Sequence, residues 1–370
     1  MRKTLKVLAV ADPAIRAYLE EKIIQGFCKE VEMDVLPWSN YYDTMLEVFA
    51  GKAYYDIVMV AGHLWKRDFV EKGYICPLDF EEEDILPVIV KEMEYKGRYY
   101  LSPSFCDGHI IVYRKNILKE VLGKEFKEVI TPEEYMEAAE KLYKAGYKIA
   151  MKANESEIFT DALPFLRMYG QDVYEEKTEK IQCSKEEVIN GLENYCKLKT
   201  FALENTDTFG NEEVAEKLRS KEAVMGVTWS GQMGVVMKDS ESPGQEKEEF
   251  GFATFETAWN VTWSFAISSG CEQRKEANTL LTYLRSKEID QRAGAISGAP
   301  VRKGSYEGAL DDNPWYPCEL AMFSNAKLLP DLNNAGDKNS ILYHQIALAF
   351  AGEKTAREAM IEAEREIQSL

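Results

Sequence analysis

The segment from Asn40 to Asp79 constrains the fold of this chain more than any other. Met45, Leu46, Phe49 and Ala50 recur at helical spacing, and Gly51 follows where a helix C-terminus favours glycine. Asp56 then leads into Ile57-Val58-Met59-Val60, four apolar residues without alternation. A strand wetted on one face alternates polar and apolar side chains. An unbroken apolar run between polar residues suits a strand covered on both faces, as in a parallel sheet. Gly62 ends the run, and His63-Leu64-Trp65 opens a second helix that stops at Gly73. Helix, doubly covered strand, helix predicts an α/β fold. In open α/β sheets the ligand crevice lies outside the carboxyl ends of the strands, and His63 and Trp65 fall there in the chain.

The first half continues the alternation. Residues 5–10 form an apolar run of strand length, and Asp12-Pro13 is a helix start, with Asp as N-cap and Pro in the first turn. Ile15, Leu19, Ile23 and Phe27 mark one helical face, and Val31, Met33 and Val35 alternate as a second strand ending at Pro37-Trp38, with a helix expected from about Asn40. Residues 99–102 and 109–113 predict further strands with a turn at 104–108 between them. From Thr131 the pattern becomes more helical. Capping boxes stand at Thr131…Glu134, Ser184…Glu187 and Thr355…Glu358, and Gly146 closes the first of these helices. Residues 223–228 and 262–268 are strand candidates inside this half, and 238–249 predicts an exposed polar loop.

Composition excludes several function classes. The chain has 370 residues, which predicts two or three domains, and its 45% hydrophobic and 11% aromatic content supports a packed core. A net charge of −18 opposes nucleic acid or an anionic membrane as partner. No apolar run approaches the roughly 20 residues of a membrane helix. The apolar run after Met1-Arg2-Lys3-Thr4 is too short for a secretory leader, so the chain as given is expected to carry no export signal. Seven cysteines, none in a CxxC pair, favour free thiols over a zinc site. GxSxG, HExxH, GxxxxGK[ST] and a strand-borne GxGxxG are all missing, and the three histidines lie far apart in sequence. The expectation is therefore no catalytic residues, no metal and no cofactor. The pairs Tyr41-Tyr42, Tyr54-Tyr55 and Tyr99-Tyr100 invite an iron-binding reading, which ranks behind the others.

Several segments together resemble a known family. After the N-terminal strand come Gly51…Asp56-Ile57-Val58…Gly73…Pro77-Leu78-Asp79, Gly97-Arg98-Tyr99-Tyr100-Leu101-Ser102-Pro103 and Ile111-Val112-Tyr113-Arg114-Lys115-Asn116. Thr131-Pro132-Glu133-Glu134-Tyr135, the run from Ala223 to Trp229, Ser264-Phe265-Ala266-Ile267 and Gly298-Ala299-Pro300-Val301-Arg302 follow in order, and a closing amphipathic helix completes the set. In order and spacing the whole chain resembles the family 1 extracellular solute-binding proteins of ATP-binding-cassette importers, the group of maltose- and oligosaccharide-binding proteins. The resemblance implies a two-lobe, periplasmic-binding-protein-like α/β fold with a hinge of crossing strands and a ligand cleft. Lobe one is expected at residues 1–110 plus 265–305 and lobe two at 111–264 plus 306–370. The crossings are expected near 110–113, 263–265 and 303–306. It further implies a monomer with a carbohydrate ligand and importer permease subunits as partners, placed outside the cytoplasm. The family's cysteine-bearing lipid-anchor segment is not seen in this sequence. The alternatives are an intracellular sensor or enzyme on the same fold, or a binding protein for a polyamine or metal ion.

Sugars present C–H faces and hydroxyl rims, so aromatic rings stack on the faces while carboxylates, amides and Arg bond the rims. That makes Trp38, Trp65, Trp229 and Trp259 ligand candidates, each near an expected strand end or crossing, with Trp263 behind them and Trp315 last. Core packing is the competing role for each. Asp12 is a candidate hydroxyl acceptor as well as an N-cap, and Asp107 precedes the first crossing. His63 suits hydroxyl recognition or first-turn capping, and Arg302 suits the ligand or a structural ion pair between lobes. Asn260 is a weaker candidate.

Overall fold

The computed structural model describes residues 4–81, 83–175, 177–238, 250–307, 309–310 and 312–370. The fold is α/β, as the apolar run at 57–60 requires. The chain divides into two compact units, Met1–Asp107 with Val261–Asn313, and Gly108–Asn260 with Pro314–Leu370. It passes from one unit to the other after Asp107, after Asn260 and after Asn313.

In the first unit the strands Leu5–Val10, Val31–Leu36 and Ile57–Ala61 lie parallel, with Val7 opposite both Met33 and Ile57. The strand Asn260–Ser268 closes on Ile57–Ala61 in the opposite sense, pairing Trp263 with Ala61. All five residues of Ile57–Ala61 are buried, which explains the missing alternation. Helices Pro13–Glu20, Trp38–Phe49 and Gly62–Glu71 each follow one of the three parallel strands. Asp12 caps the first of them, its carboxylate accepting the Ala14 N–H at 2.9 Å. That helix is shorter than the Ile15–Phe27 periodicity predicts. It ends at Glu20, and Lys22, at φ 56°, redirects the chain before a 3-10 turn at Ile24–Gly26.

In the second unit, Met225–Trp229 and Phe250–Phe255 pair antiparallel with the strand Ser102–Arg114, placing Trp229 opposite His109 and Ala253 opposite Ile111. Helices Pro132–Lys144, Ile158–Leu166, Glu186–Lys197, Tyr316–Asn325, Ala335–Ala351 and Ala356–Gln368 supply much of the rest. The Thr131 and Thr355 capping boxes form as read from sequence. The Ser184 box does not. Its helix starts at Glu186, and the Ser184 N–H donates instead to the Glu364 carboxylate at 2.8 Å.

The turn expected at 104–108 does not form either. Ser102–Arg114 is one unbroken, fully buried strand of 13 residues. Gly108 serves close approach and not reversal, since a Cβ there would lie 2.2 Å from Met322 Cε. The helix expected from Asn40 starts two residues earlier, at Trp38. From residue 239 onward, the loop expected at 238–249 lies outside the described residues. Among the described residues no helix is long and apolar enough to cross a membrane.

Candidate functional site

In the first unit the parallel strands place three candidate site residues at their carboxyl ends. Asp12 follows the first strand, Trp38 follows the second as the opening residue of its helix, and Trp65 lies in the first turn after the third. Trp38 is 42% exposed and stacks on Trp65, with ring centroids 5.4 Å apart and planes 20° from parallel. Tyr42, one turn further along and 40% exposed, stacks on the same indole at 5.1 Å. Trp65 itself is buried and continues inward to Tyr41 and Phe69 at 6.4 and 6.0 Å. Trp65 is thus the support, and Trp38 and Tyr42 are the exposed rings it carries.

Trp263 meets Trp38 edge to face at 5.5 Å, and its Nε1–H donates to Asp107 Oδ2 at 3.1 Å. That bond fixes a buried carboxylate beside an aromatic shelf. Burial pushes the Asp12 carboxyl well above the usual carboxylate range, and the negative Asp107 nearby pushes it further. The Ala14 N–H and Arg16 pull in the other direction. Aromatic faces and acceptor oxygens therefore occur together in this unit, the pairing that sugar faces and rims require.

His63 is partly buried in the first turn of its helix, and burial pushes its pKa down to about 3. It does not cap the helix, whose N-cap is Ala61 with no side-chain bond. Arg302 belongs to a different cluster of the same unit. Its Nε donates to Arg285 O at 2.5 Å and its Nη1 to Glu83 O at 3.0 Å, with Asp84 Oδ2 at 3.8 Å. The structure does not group it with Asp12 and Trp38.

In the second unit the register that sets Trp229 opposite His109 builds a buried aromatic and polar cluster. Trp229 is 6% exposed and Trp259 2%, their centroids 5.5 Å apart. His109 lies 4.7 Å from the Trp229 ring. Its Nδ1 accepts the Trp259 N–H at 3.2 Å and its Nε2 pairs with Thr160 O at 2.9 Å, so Nε2 carries the proton. Burial, and Lys152 nearby, hold the imidazole well below its usual pKa. Lys152 Nζ sits 3.4 Å from the Trp229 centroid and 3.5 Å from Asp161 Oδ1. Asp161 also accepts the Tyr195 hydroxyl at 3.0 Å, and burial lifts its pKa to about 6 against the pull of Lys152. Trp315, by contrast, packs on Phe252 and Tyr316 in the core.

The sequence alone did not single out His109, Lys152, Thr160 or Asp161, and it singled out Tyr42 only within a pair with an iron-binding reading. Tyr42 was accessible from its i+4 spacing to Trp38. Lys152 carried a weaker signal, a lone cation directly after the apolar run Ile149-Ala150-Met151. Three of the paired tyrosines bond within the framework. Tyr41 donates to Leu8 O and Met59 O, Tyr54 to Asp56, and Tyr55 to Asp34. Among the described residues no group of three or more His, Cys, Asp or Glu is placed to hold a metal. All seven cysteines are free thiols.

Comparison with known proteins now defines the class. The family model for bacterial extracellular solute-binding proteins matches residues 11–291, and the chain belongs to that family. A mannitol-binding protein of Pseudomonas aeruginosa is 22% identical over 324 residues, covering 82% of this chain and 71% of that protein. Among solved structures, maltose-bound MalE3 of T. maritima superposes with a TM-score of 0.87 at 22% identity, over 99% of each chain. A solute-binding protein of Agrobacterium vitis S4 with bound D-mannitol gives 0.84 at 19% identity, over 100% of this chain and 98% of that one. The fold is therefore the two-lobe fold of maltose-binding-type proteins.

Proposed function

We propose that this chain binds an uncharged polyhydroxylated solute, a sugar or polyol, and hands it to the permease subunits of an ATP-binding-cassette importer outside the cytoplasm. The observation that carries this reading is the exposed Trp38–Tyr42 shelf on Trp65, joined through Trp263 to the Asp107 carboxylate. Rings stack on C–H faces and carboxylates accept from hydroxyls. The mannitol and maltose of the relatives support the same chemistry. The two compact units are the two lobes of this reading. Asp12, Trp38, Tyr42, Asp107 and Trp263 are its contacts on the first and Trp229 and Trp259 its contacts on the second, with Trp65 as support. The work is binding and release, and no bond is made or broken.

One observation favours a second reading. Asp12 and Asp107 lie close enough to raise the Asp12 pKa, and a cationic ligand such as a polyamine would relieve that repulsion. A thermal-shift panel of hexitols, pentitols, hexoses, disaccharides and polyamines separates the two. A ligand held only by the folded state raises the melting temperature. Shifts confined to uncharged polyols or sugars support the first reading, and shifts confined to polyamines replace it with the second.

A further inference from the structure

We infer that His109 is a positioning residue for the ligand-facing aromatics of the second unit, holding Trp229 and Trp259 in one fixed arrangement through its ring and both of its ring nitrogens. The inference rests on the proposed role of those two tryptophans as ligand contacts.

Four bonds or pairings and two ring contacts converge on this one residue. Its backbone pairs with Trp229 across adjacent strands, and its carbonyl accepts the Thr254 hydroxyl at 2.7 Å. Its Nδ1 accepts the Trp259 N–H at 3.2 Å, and its Nε2–H donates to Thr160 O at 2.9 Å. Its ring lies 4.7 Å from Trp229 and 6.4 Å from Trp259. Only a neutral imidazole with the proton on Nε2 makes both nitrogen bonds at once, because the imidazolium has no acceptor. Leu, Met or Phe would fill the same buried volume with no such demand, so packing alone does not call for histidine.

The far end of the bracket is also defined. Thr160, which accepts from His109, is followed by Asp161, which pairs with Lys152, and Lys152 lies over Trp229. Two consecutive residues of the helix Ile158–Leu166 thus anchor both supports of the tryptophan pair. A ligand meeting a ring already ordered in the free protein loses less affinity to ordering than one that must order it.

His109→Phe keeps the ring volume and removes both nitrogen bonds, whereas His109→Asn places an acceptor oxygen where Nδ1 sits. Hydrogen exchange at the Trp259 amide and calorimetric titration with D-mannitol and with maltose are measured on each full-length variant. Expected for His109→Phe are faster exchange at Trp259 and roughly ten-fold weaker binding, with His109→Asn recovering most of both. Unchanged exchange and affinity in His109→Phe overturns the inference, as does an Asn variant that fares no better than Phe. If the wild type binds its sugar and Trp229→Phe and Trp259→Phe both retain full affinity, the contact reading fails instead, and the claim that His109 serves binding falls with it. If the wild type binds neither probe, the ligand reading has failed. The exchange data then still report whether His109 holds Trp259.

Discussion

The ammonium of Lys152 lies 3.4 Å from the centre of the Trp229 ring, inside the second unit and fully buried. A buried cation must be paired or it costs several kcal/mol. Here the indole face and the Asp161 carboxylate, 3.5 Å away, share that task. The arrangement makes Trp229 part of the unit's framework as well as a proposed ligand contact.

Lys152→Met therefore strands Asp161. The account predicts a loss of about 3–5 kcal/mol at neutral pH, the cost of removing one partner of a buried pair. Because the Asp161 pKa is already lifted to about 6, lowering the pH protonates the stranded carboxyl and reduces the loss. Lys152→Met with Asp161→Asn should recover much of it. Urea unfolding at neutral and mildly acidic pH checks this, and a single variant as stable as wild type would contradict it.

Trp38 and Trp229 should separate affinity from stability. Trp38 is 42% exposed, so Trp38→Ala should weaken sugar or polyol binding by about 1–3 kcal/mol while costing the free protein only about 1 kcal/mol. Trp229 is 6% exposed, and Trp229→Ala should cost roughly 3–5 kcal/mol of folding stability, the range of core aromatic truncations. Thermal unfolding without ligand, read beside calorimetric titration, gives both quantities. A Trp38→Ala protein with intact affinity would remove the aromatic shelf from the account.

Gly191 allows the helix Glu186–Lys197 to touch the chain of its neighbour. A Cβ at this position would lie 2.3 Å from Phe165 O and 2.9 Å from Leu166 Cα. Those are backbone atoms, which cannot swing aside. Gly191→Ala should destabilise by about 1–3 kcal/mol, as overpacking does, and leave affinity per folded molecule unchanged. Chemical unfolding with and without ligand distinguishes this from any direct effect on binding.

His63 and His109 should stay neutral well below the ordinary histidine range. Burial lowers His63 to about 3 from 6.5, and His109 moves in the same direction. For a lowered histidine pKa, stability is fully present above the unfolded value of 6.5 and is lost as pH falls toward the folded one. His63 then removes up to about 1.4 kcal/mol per pH unit across that window, and His109 acts in the same direction. Imidazole 15N shifts recorded from pH 8 to about 5 should show no titration at either residue. Midpoints near the ordinary value would contradict the burial argument.

Much of the first unit was legible because its signals are local. Ile57-Val58-Met59-Val60 lacks alternation because both faces are covered, and Asp12-Pro13 caps a helix with atoms two residues apart. The Thr131 and Thr355 boxes close over three residues and form as read. What failed depended on partners distant in sequence. Ser184 lost its box because Glu364, 180 residues on, takes its N–H. Gly108 resembled a turn residue because the methionine that crowds it, Met322, arrives only in the fold. The site divided in the same way. Tryptophans at strand ends could be named from sequence, but Lys152, Thr160 and Asp161 matter only through what they touch.

The central claim is that an uncharged polyhydroxylated solute occupies one site per chain. Isothermal titration of the full chain with D-mannitol and with maltose, at low salt and at roughly 0.5 M salt, tests it most directly. The account predicts one-to-one binding of at least one of these uncharged ligands, its affinity changing less than about three-fold with salt because no charge pair is screened. Silence toward both, with binding only of a cationic ligand whose affinity collapses at high salt, would contradict it.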